Sequence, residues 1–207
     1  MRTQNNNLIV IAGLAALLGT GIAAKNTQAD MVGLNPAGLS STSSDVGNDG
    51  LFFTPTISVS VTQLGYLGPG AGGDAVGLYN VSNSTQLASA TITTSDTKSG
   101  SFYYAAITPV ALTAGTEYAV VGFYTGASGN SDDTATSVSG ASGITYDGYK
   151  YDYNNSLDLP NNSYATAYFG PNFKFTNASP IPEPASMALL GLSGLSLLLL
   201  PKPRRKH

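Results

Sequence analysis

The residues with the most chemistry to offer sit in one short stretch, Tyr149-Lys150-Tyr151-Asp152-Tyr153. A spacing of two puts Tyr149, Tyr151 and Tyr153 on one face of a strand. Aromatic faces tipped with hydroxyls stack on sugar rings and hydrogen-bond to them, so the stripe is a candidate glycan contact. Tyr146 joins it if Asp147-Gly148 turns a hairpin. The plainer account is a row of core or rim tyrosines, which strand alternation produces equally well. Asp147 with Asp152, or Asp132 with Asp133, are of the type that pairs in glycoside hydrolysis, but no spacing selects a pair. Asp132, Asp133, Asp147, Asp152 and Asp158 carry oxygens of the kind calcium takes. They fit no complete loop motif and read as solvated loop carboxylates.

Other chemistry is excluded by residue type. The chain has no cysteine, and its one histidine is His207, in the terminal basic segment. The body therefore holds neither a Ser-His-Asp nor a Cys-His arrangement, and no thiolate or imidazole metal site. The glycines from Gly68 to Gly73 are not followed by Lys-Ser/Thr or by a helical pattern, so they form a turn and not a phosphate cradle. No catalytic residue, cofactor or metal ligand is assigned, and the body reads as a non-enzyme.

The elements that must carry the tyrosines are strands. Gly, Ser, Thr, Asn and Tyr are abundant and charge is sparse, a mixture suited to a β-rich domain with long turns. Residues 31–50 carry turn chemistry (Asn35-Pro36, the serine run, Asn48-Asp49-Gly50) and predict at most one short strand. From Leu51 the period becomes two, with Pro55 at the start of a strand in which Ile57, Val59 and Val61 alternate with polar residues. Further strands are expected around Val76–Tyr79, Leu87–Thr93, Phe102–Ala106, Glu117–Tyr124, Tyr164–Phe169 and Asn172–Phe175. The most apolar, Glu117–Tyr124, should be central. Residues 130–143 read as a loop. About eight short strands and no internal amphipathic helix predict an all-β antiparallel β-sandwich, jelly-roll-like, over residues 30–178.

Charge is segregated. Between Asp30 and Ala178 three lysines face ten aspartates and one glutamate, a formal charge of −8 against −3 for the whole chain. Such a charge argues against nucleic acid and anionic membrane surfaces as partners of the body. The ends differ. Residues 1–29 have Arg2, an uncharged apolar run from Leu8 to Ala24 and a small-residue exit at Thr27-Gln28-Ala29, the pattern of a secretory signal helix read by Sec-type export machinery. Cleavage is expected after Ala29, with Ala24 as the alternative. An uncleaved anchor over the same run is the other reading.

Residues 179–207 contain Pro182-Glu183-Pro184, an uncharged apolar run over 185–200, and a basic end over 201–207 with Arg204, Arg205 and Lys206. The prolines keep the tripeptide extended. As a transmembrane helix the run is about 24 Å long at roughly 1.5 Å per residue, a little short of a hydrocarbon core of about 30 Å. Snorkelling cations make up part of the difference and hold the basic end on the cytoplasmic side. A membrane anchor that is never cut is the bland reading.

This order of parts resembles the PEP-CTERM sorting signal of bacterial exported proteins. The resemblance implies recognition by an exosortase, an integral-membrane cysteine protease-like enzyme, with cleavage near the tripeptide and transfer to the cell surface or extracellular matrix. Residues 56–123 also resemble β-sandwich bodies common in that family. The likeness rests on Val61-Thr62-Gln63-Leu64-Gly65-Tyr66, on Val76-Gly77-Leu78-Tyr79, and on Pro109 to Tyr118 with Leu112, Ala114 and Gly115. It implies a fold and no activity. The chain is thus expected to be a cell-surface cargo protein whose partners are the export machinery, an exosortase and the membrane. The alternative is an anchored carbohydrate-binding module whose partner is an extracellular polysaccharide.

Overall fold

A computed structural model describes residues 29–43, 46–70, 72–124, 131–164 and 167–178. Among these the chain is all β. The strands are β1 (Met31–Val32), β2 (Leu34–Ala37), β3 (Ser40–Ser43), β4 (Gly47–Pro55), β5 (Val59–Leu67), β6 (Asp74–Asn80), β7 (Thr85–Ile92), β8 (Thr97–Ser99), β9 (Phe102–Leu112), β10 (Tyr118–Tyr124), β11 (Ser131–Ala135), β12 (Ser137–Gly140), β13 (Ile144–Asp152), β14 (Asn162–Ser163), β15 (Ala167–Phe169) and β16 (Pro171–Asn177). Every pairing between them is antiparallel.

Two large sheets carry the fold, one in the order β1-β16-β5-β9-β8 and the other β14-β13-β4-β10-β6-β7. Alternation drives their meeting, since each strand has one apolar row to hide. Leu51, Phe53, Val76, Leu78 and Val120 of the six-stranded sheet share one core with Val59, Val61, Leu64, Phe173 and Phe175 of the five-stranded sheet, all with no exposed surface. Phe53 stacks on Phe173 across the gap, with ring centroids 4.4 Å apart. Burying one such side chain contributes about 1.5–3 kcal/mol. Tyr66 fills space that two glycines leave open, because a Cβ at Gly122 or Gly170 would come within 2.6 or 2.7 Å of its ring. As expected, β10 is central, held between β4 and β6.

The six-stranded sheet is covered on its outer face as well. Phe52, Tyr79, Ala119 and Val121 form a second buried cluster beneath Leu157 and Leu159. The segment 153–161 lies over them as a strap. Asn48, fully buried, ties it down. The Asn48 amide donates to Asp152 Oδ1 at 2.8 Å and to the Ser156 carbonyl at 2.9 Å, and Asn48 Oδ1 accepts from the Asp158 N–H at 3.2 Å. Tyr79 adds a bond from its hydroxyl to the Leu157 carbonyl at 3.3 Å. This double cover explains why β4 and β10 are buried nearly throughout.

Two smaller sheets, β15-β11-β3 and β12-β2, complete the molecule. Strand β15 bridges the large sheets, with Tyr168 against Tyr149 of β13 and Phe169 edge-on to Phe102 of β9.

Several expectations are corrected. Residues 31–50 hold β1, β2, β3 and the start of β4, more than one short strand. Their partners are distant in sequence: the buried Asn172 side chain accepts from the Leu34 N–H at 3.2 Å and donates to the Leu34 carbonyl at 2.9 Å. Asn48-Asp49-Gly50 is strand and not turn, because tertiary partners satisfy the side chains that would otherwise bond locally. Pro55 ends β4 and does not begin the next strand, and Ile57 lies in the connection, 44 % exposed. The expected loop over 130–143 contains β11 and β12, which find mates in β3 and β2. Asp147-Gly148 is no hairpin turn. It is a bulge inside the single strand β13, where the register shifts between Tyr146 and Gly148 and Gly148 takes a φ of 142°.

Candidate functional site

The site is built on β13, which pairs with β4 along its length. Tyr146 lies opposite Phe53, Tyr149 opposite Leu51 and Tyr151 opposite Asp49. Directly opposed residues share a face, so these three tyrosines stand on the core side of the sheet with Leu51 and Phe53. The bulge makes this possible. Without its extra residue Tyr146 and Tyr149 would point to opposite faces. Thr54 holds the bulge, its hydroxyl donating to Asp147 Oδ2 at 2.6 Å. Tyr146 therefore joins the stripe, as anticipated, but within one strand and not across a hairpin.

Tyr149, Tyr151 and Tyr153 do come together. Tyr149 and Tyr151 are parallel, with centroids 6.3 Å apart and 9° between planes, and Tyr153 stands edge-on to Tyr151 at 5.4 Å. Two rings that the spacing did not reveal complete the group. Tyr164 is edge-on to Tyr151 at 6.1 Å and roughly parallel to Tyr168 at 6.2 Å, and Tyr168 returns to Tyr149 at 5.8 Å. Four rings thus close a circuit, 149–151–164–168, with Tyr153 attached. Nothing in the sequence spacing links Tyr164 or Tyr168 to β13; the signal was only that both are tyrosines in a short closing strand.

Burial grades across the group. Tyr149 is 7 % exposed, and its hydroxyl donates to the carboxylate of Asp49, itself buried. Tyr151 and Tyr168 are half-buried. Tyr153 and Tyr164 are 63 % and 54 % exposed. Of the candidate glycan contacts, Tyr149 is accordingly the floor, and Tyr153 is the most exposed. The charged neighbours on β13 face the other way, with Lys150 Nζ 4.4 Å from the centre of the Phe52 ring and Asp152 bonded to Asn48.

Burial pushes the Tyr146 hydroxyl up to about 12. Tyr79, under the strap, is also pushed up to about 12, first by burial and then by the charge of Asp158, against a hydrogen bond from Gln86 that acts the other way. Both hold phenols neutral and neither marks a reactive centre.

Asp147, Asp152 and Asp158 have separate partners. Asp147 binds Thr54, Asp152 binds Asn48 and Asn154, Asp158 accepts from the Leu159 N–H, and Asp133 lies in β11. Among the described residues no group of three or more His, Cys, Asp or Glu is placed to hold a metal ion. No helix among them is long and apolar enough to cross a membrane. The apolar run from Leu8 to Ala24 and Pro182, Glu183, Pro184, Arg204, Arg205 and Lys206, with the apolar run between them, lie outside the described residues.

No protein-family model, curated protein or solved structure matches this chain.

Proposed function

We propose that this is an exported protein of the cell surface or extracellular matrix, delivered through a PEP-CTERM-type signal. The observation that carries the reading is the order of parts in residues 179–207: Pro182-Glu183-Pro184, then a run long enough for a short transmembrane helix, then Arg204-Arg205-Lys206. The signal helix over 1–29 engages Sec-type machinery, the C-terminal helix holds the chain in the membrane, and an exosortase cuts near the tripeptide. The body, a jelly-roll-like sandwich in this reading, is non-catalytic cargo. The scattered aspartates and the absence of cysteine and of any histidine before His207 support that part. Mass spectrometry of the surface-exposed protein tests the route. The expected mature form begins near Asp30 and ends near Glu183. A peptide containing Arg204-Arg205-Lys206 in surface material overturns the processing step.

A second reading, an anchored carbohydrate-binding module, is favoured by one observation, the exposed rings of Tyr153 and Tyr164. Binding of the full chain to a glycan array tests it, and silence on every neutral and acidic glycan removes it.

A further inference from the structure

We infer that the tyrosine group at β13 is a binding subsite for a neutral saccharide, with Tyr153 and Tyr164 as the stacking surfaces and Tyr151 as the wall between them. This rests on the carbohydrate-binding reading and gives it an address and a ligand class. Among the described residues three large hydrophobic side chains are exposed, Ile57, Tyr153 and Tyr164, and two of them touch the same ring, Tyr151. Exposed aromatics that converge in this way mark a contact surface more than chance exposure does.

The rings are also held before any ligand arrives. Tyr164 is fixed by Tyr151 and Tyr168, Tyr151 by Tyr149, and Tyr149 by its bond to the buried Asp49. A rigid ring with two side-chain torsions loses little freedom on binding, so a preformed pair of faces binds more tightly than a mobile one. Asp49 and Tyr149 are positioning residues in this scheme and touch no ligand.

The chemistry of the surroundings selects the ligand. The one lysine of β13, Lys150, lies over Phe52 on the opposite side of the strand. A body of charge −8 repels uronate and sulfate polymers. The chain neighbours of the two rings on these sides are neutral and exposed: Asn154 and Asn155 after Tyr153, and Asn161, Asn162 and Ser163 before Tyr164. Apolar ring faces edged by amides and hydroxyls match a pyranose, with its C–H face and equatorial hydroxyls. A quaternary ammonium is the rival guest for clustered tyrosines, and the test separates the two.

The experiment uses the full chain in a polyoxyethylene detergent, because sugar-headed and choline-like detergents compete for the site. Cellohexaose, xylohexaose, mannohexaose and chitohexaose are titrated against wild type, Tyr153→Ala, Tyr164→Ala and the two Phe variants, with alginate oligomers and choline as further probes. The expected result is binding of at least one neutral hexaose, weakened tenfold or more by either Ala substitution (about 1.4 kcal/mol) and within about threefold of wild type in the Phe variants, since the ring face does the work. Both residues are exposed, so the Ala variants should keep the wild-type far-ultraviolet circular dichroism and thermal unfolding midpoint. Three results overturn the inference. Hexaose binding unchanged in both Ala variants puts the saccharide elsewhere and leaves the carbohydrate-binding reading standing. No hexaose binding at all removes both. Binding of choline without any hexaose gives the rings to a cation.

Discussion

Replacing Asn48 by alanine should free the strap over 153–161. Asn48 is fully buried and makes three bonds to that segment and its root: to Asp152 Oδ1 at 2.8 Å, to the Ser156 carbonyl at 2.9 Å and from the Asp158 N–H at 3.2 Å. The first is buried and ends on a carboxylate, and such bonds contribute about 1.5–3 kcal/mol. The other two are half-buried, each contributing about 0.5–1.5 kcal/mol. Water recovers part of what is lost, so the expected destabilisation is about 2–4 kcal/mol. For a domain of this size that lowers the melting temperature by roughly 5–15 °C. Thermal unfolding by circular dichroism gives the total, and hydrogen exchange at the Asp158 and Leu159 amides gives its location. Asn48→Asp sharpens the test, since it sets a second carboxyl against Asp152. Like charge raises the folded-state pKa of the pair above the unfolded value of about 3.9. Stability is then fully present below that value and is lost as pH rises through the raised one, so the variant should be weaker at pH 7 than at pH 4. A cost below about 0.5 kcal/mol for Asn48→Ala, with unchanged exchange over the strap, would refute the reasoning.

Three further outcomes follow from the packing. Gly122→Ala forces a Cβ to within 2.6 Å of the fully buried Tyr66 ring, and should cost about 1–3 kcal/mol in a urea titration; a neutral result means that the ring has room to move. Tyr149→Phe removes a donor from the buried Asp49 carboxylate and should cost about 1–3 kcal/mol, while leaving the exposed Tyr153 in place. In a spectrophotometric titration Tyr79 and Tyr146 should ionise near pH 12 and Tyr104 higher still, all raised by burial. The unfolded chain ionises its tyrosines near pH 10, so the fold binds more protons above that pH, and stability should fall between about pH 10 and 12. A single step for all twelve tyrosines near pH 10 would contradict this.

The strand content was legible because alternation is local. Val59 and Val61, Phe102 and Tyr104, and the continuous apolar run of β10 each announce their state within a few residues. What was missed depends on partners far away. Met31–Gly50 looked like turns because Asn, Ser and Gly favour local bonds, yet Asn48 is satisfied by residues more than 100 positions on. Strands β11 and β12 have polar sequences and exist because β3 and β2 pair with them. The dipeptide Asp147-Gly148 serves a hairpin turn and a bulge alike, and only the register against β4 tells them apart.

The amino-acid sequence by itself determined which chemistry is out of reach, through its missing cysteine and its single terminal histidine, and it put Tyr149 and Tyr151 on one face of a strand. Those facts need only residue identity and a two-residue period. The tertiary structure decided that Tyr149 is floor and Tyr153 surface, and that Tyr164 and Tyr168 belong with them. Burial and ring contact are properties of which strands meet. That meeting is settled by the summed burial of two whole sheets, a quantity that no local stretch of chain contains.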